Sequence, residues 1–179
     1  AELGHSSGRR YVMGAEAHER EATVDEVAAM RKLVRKGMDT GGIGFTTSRV
    51  AHQKGEFGEP IPSFVAHEEE IFALASVLKD LGRGIIGINP RTKSLDFVQE
   101  DKDQLFNLAS RTGRPVNWNE FNQRDGYPGQ WRELLDYMEN AQQLGAMVYA
   151  VMRCQRMDLH FNLRETNAFK SSPIWRQFM

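Results

Sequence analysis

The sequence of 179 residues is poor in cysteine, in long apolar runs and in net charge, and each of these absences excludes a class of protein. Its single cysteine, Cys154, excludes an internal disulfide and suits a reducing compartment. It contains no apolar run long enough to span a bilayer, and its start shows no basic-then-apolar signal segment. The formal net charge of −1 provides no field that would favour nucleic acid or an anionic membrane. We therefore expect a cytoplasmic protein that acts on a small-molecule substrate, not on nucleic acid or membrane.

The sequence does contain a glycine that recurs at the boundary between a helix pattern and a strand pattern. A helical pattern ends at each of four glycines, Gly41, Gly82, Gly113 and Gly145. A short strand pattern follows each glycine, at 43–48, 84–89, 115–120 and 146–152. The intervals fit one strand, one helix and two loops, and a glycine between helix and strand is typical of parallel α/β proteins. Such folds carry their chemistry on the loops that follow the strands.

The helices between these strands are amphipathic. Thr23 and Glu26 form the pattern of a capping box, and further helices are predicted over 67–81, over 99–112 and after Gly129. The pattern is consistent with an open doubly wound sheet and with part of a (βα)8 barrel. Regular spacing and polar strand ends favour the partial TIM-like barrel, with about four βα units and residues 1–179 forming a single α/β segment.

Several ordered motifs carry a family resemblance. They are GHSSGRRYVMG at 4–14, EATVDE at 21–26, GGIGFTTSR at 41–49, PIPS at 60–63, GRPVN at 113–117, WRELL at 131–135 and PIW at 173–175. In this order they resemble the N-acyl-D-amino-acid deacylases, which form the family 3 branch of the amidohydrolase superfamily. The resemblance extends from residue 4 to residue 176.

The resemblance implies a metal-dependent hydrolase that cleaves the C–N bond of a linear amide or an N-acyl amino acid. In such enzymes a zinc-bound water attacks the carbonyl, and a carboxylate at another strand end moves the proton. The His-x-His pair of the family's first strand and its late-strand aspartate are not in this sequence. We therefore expect a central fragment of a larger barrel, inactive alone, whose zinc ligands lie largely outside this chain. Open strand edges would favour a homo-oligomer or another association.

The sequence departs from the deacylase pattern at two strand ends. Where the resemblance implies histidine ligands, this chain has Asn89 and Glu120 at or beside the matching positions. Asparagine is a poor zinc ligand, whereas glutamate is an acceptable one. The branch therefore binds metal differently, holds one metal, or holds none. In the last case the chain would be a non-catalytic α/β scaffold for binding or assembly. A small α/β domain with its own ligand is disfavoured, because no phosphate-binding glycine fingerprint follows a strand.

Glu120 is the predicted catalytic residue, as a general base or a metal ligand, with Asn89 as the second candidate ligand. A carboxylate at a strand end beside Asn119 is well placed for either role. The alternative for Glu120 is a structural ion pair with an arginine such as Arg124. Cys154 is better explained as a buried inert thiol than as a nucleophile.

The predicted substrate-binding residues are Arg49, Ser48, Asn119 and His5. Arg49 follows Ser48 at a strand end and could bind a substrate carboxylate through two hydrogen bonds, with an internal salt bridge as its alternative. His5 lies in a predicted glycine- and serine-rich turn that a ligand could approach. Its alternative is a hydrogen-bonded structural role.

Overall fold

The computed structural model describes residues 1–51, 53–55, 58–91, 98–119, 121, 128–152, 158 and 174. The strands are β1 (Glu2–Gly4), β2 (Gly44–Ser48), β3 (Ile85–Asn89), β4 (Val116–Asn119) and β5 (Val148–Val151). The helices are α1 (His5–Met13), a 3-10 turn (Gly14–His18), α2 (Val24–Asp39), α3 (Pro62–Val65), α4 (Glu68–Leu81), α5 (Gln99–Thr112) and α6 (Gln130–Gln143).

The strands form one parallel sheet in the order β1-β2-β3-β4-β5. Consecutive strands are neighbours, and at least one helix lies between each pair along the chain. This sequential parallel order is that of a (βα)8 barrel, whereas a doubly wound sheet reverses its strand order at a switch point. The predicted α/β class with a partial TIM-like barrel is therefore confirmed.

The start of the chain differs from the sequence-based expectation. Residues 4–8 were predicted to form a turn without a preceding strand, but β1 ends at Gly4 and α1 begins at His5. The strand has only three residues, which is too short to show an alternating pattern. Its pairing with β2, in which Leu3 faces Phe45, places it in the sheet. The described part of the chain therefore has one strand more than the glycine pattern indicates.

The other element boundaries follow the predicted signals closely. Thr23 accepts a hydrogen bond from the backbone N–H of Glu26, whose side chain accepts one from the backbone N–H of Thr23, so the capping box is confirmed. Gly82 and Gly113 are the left-handed C-caps of α4 and α5, with φ of 63° and 62°. A side chain would be strained in this conformation, which explains why glycine ends these helices.

The two faces of the sheet differ sharply in chemistry. Alternate residues of the strands, among them Phe45, Ile86, Ile88, Val116 and Trp118, are buried in the apolar core against helices α2, α4 and α5. The intervening residues include Thr46, Ser48, Asn89, Asn117 and Asn119, and these line a cavity on the opposite face. Because side chains alternate along a strand, apolar packing on one face leaves the other for polar groups.

Apolar side chains are exposed along the outer strand β5 and just before β2. Ile43 precedes β2 and is 55% exposed, while Tyr149, Val151 and Met152 at β5 are 44%, 40% and 64% exposed. β1 and β5 each pair with a single strand in the described part of the chain. Among the helices that the structure describes, none has the length and apolar character needed to cross a membrane.

Candidate functional site

A polar cavity of about 310 Å³ lies beside the carboxyl ends of β1 to β4. Four of the sequence-predicted residues line it together: His5, and Ser48, Asn89 and Asn119, which are the last residues of β2, β3 and β4. The carboxyl ends of parallel strands meet at one edge of a sheet, which is where barrel enzymes hold their reacting groups. Further polar residues of the lining are Glu2, Ser6, Ser7, Thr46, Thr47, Gln53, Ser63 and Asn117.

Two amide side chains form a pair at the rim of this cavity. Asn119 Nδ2 donates a hydrogen bond to Asn89 Oδ1 at 3.0 Å. The register that sets Ile88 beside Trp118 brings the next residues of β3 and β4 side by side. The pairing still leaves the Asn89 amide N–H groups and the Asn119 carbonyl oxygen as hydrogen-bonding groups of the rim.

A chain of serine hydroxyls ties the neighbouring loops to this rim. Ser6 Oγ donates to Ser63 Oγ at 2.9 Å, and Ser63 Oγ donates to the carbonyl oxygen of Ser48 at 2.8 Å. The Ser48 hydroxyl in turn donates to Gln53 Oε1 at 2.5 Å. Sequence reasoning did not select Ser6 or Ser63, although both lie in motifs that carry the family resemblance.

His5 also belongs to the lining of this cavity, but only 2% of its surface is exposed. Its Nδ1 accepts a hydrogen bond from the Thr47 hydroxyl at 2.8 Å, and its Nε2 donates to Glu70 Oε1 at 2.8 Å. Both contacts are satisfied by the neutral ring with its proton on Nε2. Burial lowers the pKa of His5 and outweighs the opposing influence of Glu70. These contacts match the structural alternative for His5, since neither ring nitrogen is left for a ligand.

Glu70 connects His5 to a buried arginine that sequence reasoning did not select. Arg9 Nη1 donates to Glu70 Oε2 at 2.5 Å, and Arg9 Nη2 donates to the carbonyl oxygen of Arg20 at 2.6 Å. Burial by itself would raise the pKa of Glu70, but the hydrogen bonds from His5 and Arg9 bring it below its usual value. No local signal separates Glu70 from Glu68 and Glu69, because only its position on α4 turns it toward α1.

Arg49 follows Ser48 in sequence but lies in a different cavity. Only 4% of its surface is exposed, and its Nε has no hydrogen-bond partner. It lines a cleft of about 380 Å³, whose walls are residues 64–68, the start of α5 and Arg91. The two cavities share no lining residue. Burial, followed by the nearby charge of Arg91, lowers the pKa of Arg49.

The predicted catalytic residue and several alternatives lie outside the described residues. Glu120 is the residue after the described end of β4, and Arg124 and Cys154 also lie outside the described residues. Within the residues that the structure describes, no group of three or more His, Cys, Asp or Glu side chains could hold a metal ion. Of the two predicted metal ligands, the structure thus places only Asn89.

Comparison with known proteins gives one consistent result. No protein-family model matches the sequence. No curated protein matches it either. Three solved structures of D-aminoacylase do match, each with a TM-score of 0.65 and 25% sequence identity.

The matching structures are of an amidohydrolase that has a metal centre. One structure addresses the role of the binuclear metal centre in D-aminoacylase, in which one metal activates and the second attenuates. Another defines D-aminoacylase as a novel subset of amidohydrolases, and a third shows a D-aminoacylase mutant with copper chloride. The match covers 83% of this chain but only 29% of the D-aminoacylase chain. The resemblance predicted from the motifs is therefore confirmed in three dimensions: over most of its length, this chain is similar to D-aminoacylase of the amidohydrolase superfamily.

Proposed function

We propose that this chain is part of an amidohydrolase-type hydrolase that cleaves the C–N bond of a linear amide or an N-acyl amino acid. One observation carries the proposal. Ser48, Asn89 and Asn119 end three neighbouring parallel strands and line one polar cavity at the edge where barrel enzymes bind their substrates. The similarity to D-aminoacylase supports the reaction class.

The donor set of the described residues does not fit the zinc site that the family implies. Asn89 is an amide, and its Oδ1 already accepts a hydrogen bond from Asn119 Nδ2. An amide oxygen in such a bond is a weak ligand for zinc, which prefers thiolate, imidazole and carboxylate. We therefore derive no catalytic step through zinc. Zinc in the complete protein, held largely by groups outside this chain, stays a prediction.

The role that we propose for the rim is to bind and orient the scissile amide. An asparagine side chain donates and accepts hydrogen bonds, so it is complementary to the N–H and C=O of a substrate amide. The Asn89–Asn119 pair has both kinds of group left after its internal bond. Fixing the amide in one orientation lowers the entropic part of the barrier. Glu120, adjacent to Asn119 in sequence, stays the proposed general base.

The asparagine pair also favours a second candidate, a binding or assembly scaffold that has lost its metal ligands. A hydrogen-bonded amide pair is a stable polar surface that needs no metal. The scaffold and the hydrolase differ in one measurable respect. The complete scaffold protein would contain no stoichiometric metal and would release no amino acid from an N-acyl substrate.

The experiment uses the complete protein that contains this chain. Bound metal is measured by elemental analysis, and turnover is assayed as amino acid released from N-acetyl-D-amino acids. For the hydrolase we expect turnover that Glu120→Gln abolishes and that Asn89→Ala lowers roughly tenfold in kcat/KM, the equivalent of one lost hydrogen bond of about 1.4 kcal/mol.

Asn140→Ala is the matched control, because Asn140 is an exposed residue of α6. It should leave kcat/KM unchanged. A metal-free protein without turnover would reject the hydrolase in favour of the scaffold. Turnover that survives Glu120→Gln would reject Glu120 as the base while keeping the reaction class.

A further inference from the structure

We propose that the Arg49 cleft is a separate binding site for a small carboxylate ligand, of the class of a free α-amino acid. The inference does not depend on the proposed hydrolase. The cleft shares no lining residue with the polar cavity at the strand ends, and it has its own cationic anchor.

The anchor is a buried guanidinium with one unpaired N–H group. Arg49 is 96% buried and its Nε has no hydrogen-bond partner, while Glu68 and Asp101 act on it as nearby opposite charges. A buried cation is costly unless an opposite charge and hydrogen bonds compensate it. Arginine presents its N–H groups as a planar fork that matches the two oxygens of a carboxylate. A carboxylate in the cleft would therefore supply the hydrogen-bond acceptor that Nε lacks.

The surroundings of Arg49 add positive potential on one side of the cleft. Arg91 also lines it, with its guanidinium 5.6 Å from the centre of the Phe64 ring. Glu68, the first residue of α4, and Val98, the N-cap of α5, belong to the lining, and Val98 forms no side-chain capping hydrogen bond. The unsatisfied N–H groups at such a helix start favour negative charge.

Acidic side chains of the same lining restrict the kind of anion. Asp101 accepts a hydrogen bond from the backbone N–H of Arg91, and Glu68 accepts one from Gln104. Glu21 and Glu100 lie at the exposed margin of the cleft. These carboxylates would repel a doubly charged phosphate but would attract a positive amino group. A ligand that pairs one carboxylate with one ammonium group, such as an amino acid, is complementary to the mixed charges of the lining and fits the volume of about 380 Å³.

The test is calorimetric titration of the full-length protein with glycine, sodium acetate and inorganic phosphate at constant ionic strength. We expect glycine to bind most tightly, acetate more weakly and phosphate least. Arg49→Gln should weaken glycine binding at least tenfold. The matched control is Arg35→Gln, which removes the same charge from a half-exposed arginine beside Asp80 and should leave the affinity unchanged.

Arg91→Gln guards against the possibility that the Arg49 variant does not fold, since Arg91 is exposed and its removal should weaken glycine binding several-fold. Unchanged glycine affinity in either the Arg49 or the Arg91 variant would overturn the site. Absence of glycine and acetate binding in the unaltered protein would do the same. Phosphate binding that is tighter than glycine binding would overturn the ligand class.

Discussion

His5 Nε2 lies 2.8 Å from Glu70 Oε1, and this hydrogen bond joins α1 to α4, the helix that precedes β3. Arg9 binds the other oxygen of the same carboxylate. Glu70 is therefore shared by two buried side chains of α1, and it holds α1 against the core. The start of α1 carries Ser6, so the cluster also positions the hydroxyl chain that reaches the rim of the polar cavity.

Removing the charge of Glu70 should destabilise the fold strongly. Glu70→Gln leaves Arg9 buried without a counter-charge, and breaking a buried ion pair in this way costs about 3–5 kcal/mol. Urea unfolding measures the loss in free energy of unfolding. The control is Glu69→Gln, because Glu69 is exposed and lies 3.6 Å from Arg111, so its removal should cost less than about 0.5 kcal/mol. Equal losses in the two variants would contradict the buried cluster.

The same cluster predicts how stability depends on pH. The pKa of His5 is lowered from 6.5, so the unfolded chain takes up a proton at a higher pH than the folded protein does. Stability is then fully present above pH 6.5 and falls as the pH drops below it. Glu70, whose pKa is lowered from 4.5, adds a further loss below that pH. The free energy of unfolding, measured from about pH 7.5 down to about pH 4, should therefore fall first through the histidine range and then through the carboxyl range.

A variant of His5 tests whether this residue causes the loss of stability in the histidine range of pH. His5→Gln removes the titrating group, and it should flatten the pH dependence between the ordinary histidine pKa and the ordinary carboxyl pKa. If the slope in that window is unchanged in His5→Gln, another group is responsible.

Two glycines should respond to alanine in opposite directions. A Cβ on Gly44 would come closer than 3.0 Å to the carbonyl oxygen of Ile85, which is backbone of the neighbouring strand and cannot yield cheaply. Gly44→Ala should cost roughly 3 kcal/mol, as overpacking does. A Cβ on Gly8 meets nothing within 4 Å, and alanine in helix α1 should stabilise by about 0.5–1 kcal/mol. Thermal melting of both variants checks the pair, and a stable Gly44→Ala protein would refute the close strand approach.

Arg49 should lower the free energy of unfolding of the ligand-free protein. Arg49→Met removes a buried guanidinium whose Nε is unpaired and keeps much of its apolar volume. The free energy of unfolding should therefore rise by about 1–3 kcal/mol, the penalty of a buried unsatisfied polar group. Denaturant titration of the unliganded protein measures it. Destabilisation by Arg49→Met would show that the guanidinium has stabilising contacts within the protein.

The exposed sheet edge should drive self-association of the isolated chain. Val151 lies on β5 and is 40% exposed, so a charge there should hinder pairing between chains. Sedimentation velocity should show concentration-dependent association that Val151→Lys reduces. Val24→Lys is the control, because Val24 is 85% exposed at the start of α2 and lies outside the sheet. A dilute monomer with a sharp two-state melt would contradict association.

Much of the architecture could be predicted from the sequence, because its determinants are local. Gly82 and Gly113 permit the left-handed conformation that ends α4 and α5, and the Thr23–Glu26 capping box starts α2. The same reasoning missed β1, since a three-residue strand has no detectable period and is defined only by its pairing with β2. Local conformation and periodicity thus account for the order of elements, though not for the shortest of them.

The candidate site was only partly predictable for a related reason. Strand-end position, and for Asn89 the family resemblance as well, selected Ser48, Asn89 and Asn119, and the parallel register brings them together. Ser48 and Arg49 are adjacent in sequence, yet the chain leaves the sheet between them and their side chains enter different cavities.

The sequence by itself determined the parallel α/β order, the helix ends and the polar strand ends, because turn conformation and side-chain alternation are set within a few residues. Only the tertiary structure decided that Glu70 is buried while Glu69 is exposed, that both nitrogens of His5 are engaged, and that Arg49 lacks a partner for its Nε. These properties arise from packing between segments about 60 residues apart, as between Arg9 and Glu70. Burial and partner choice depend on that packing, and no local pattern encodes it.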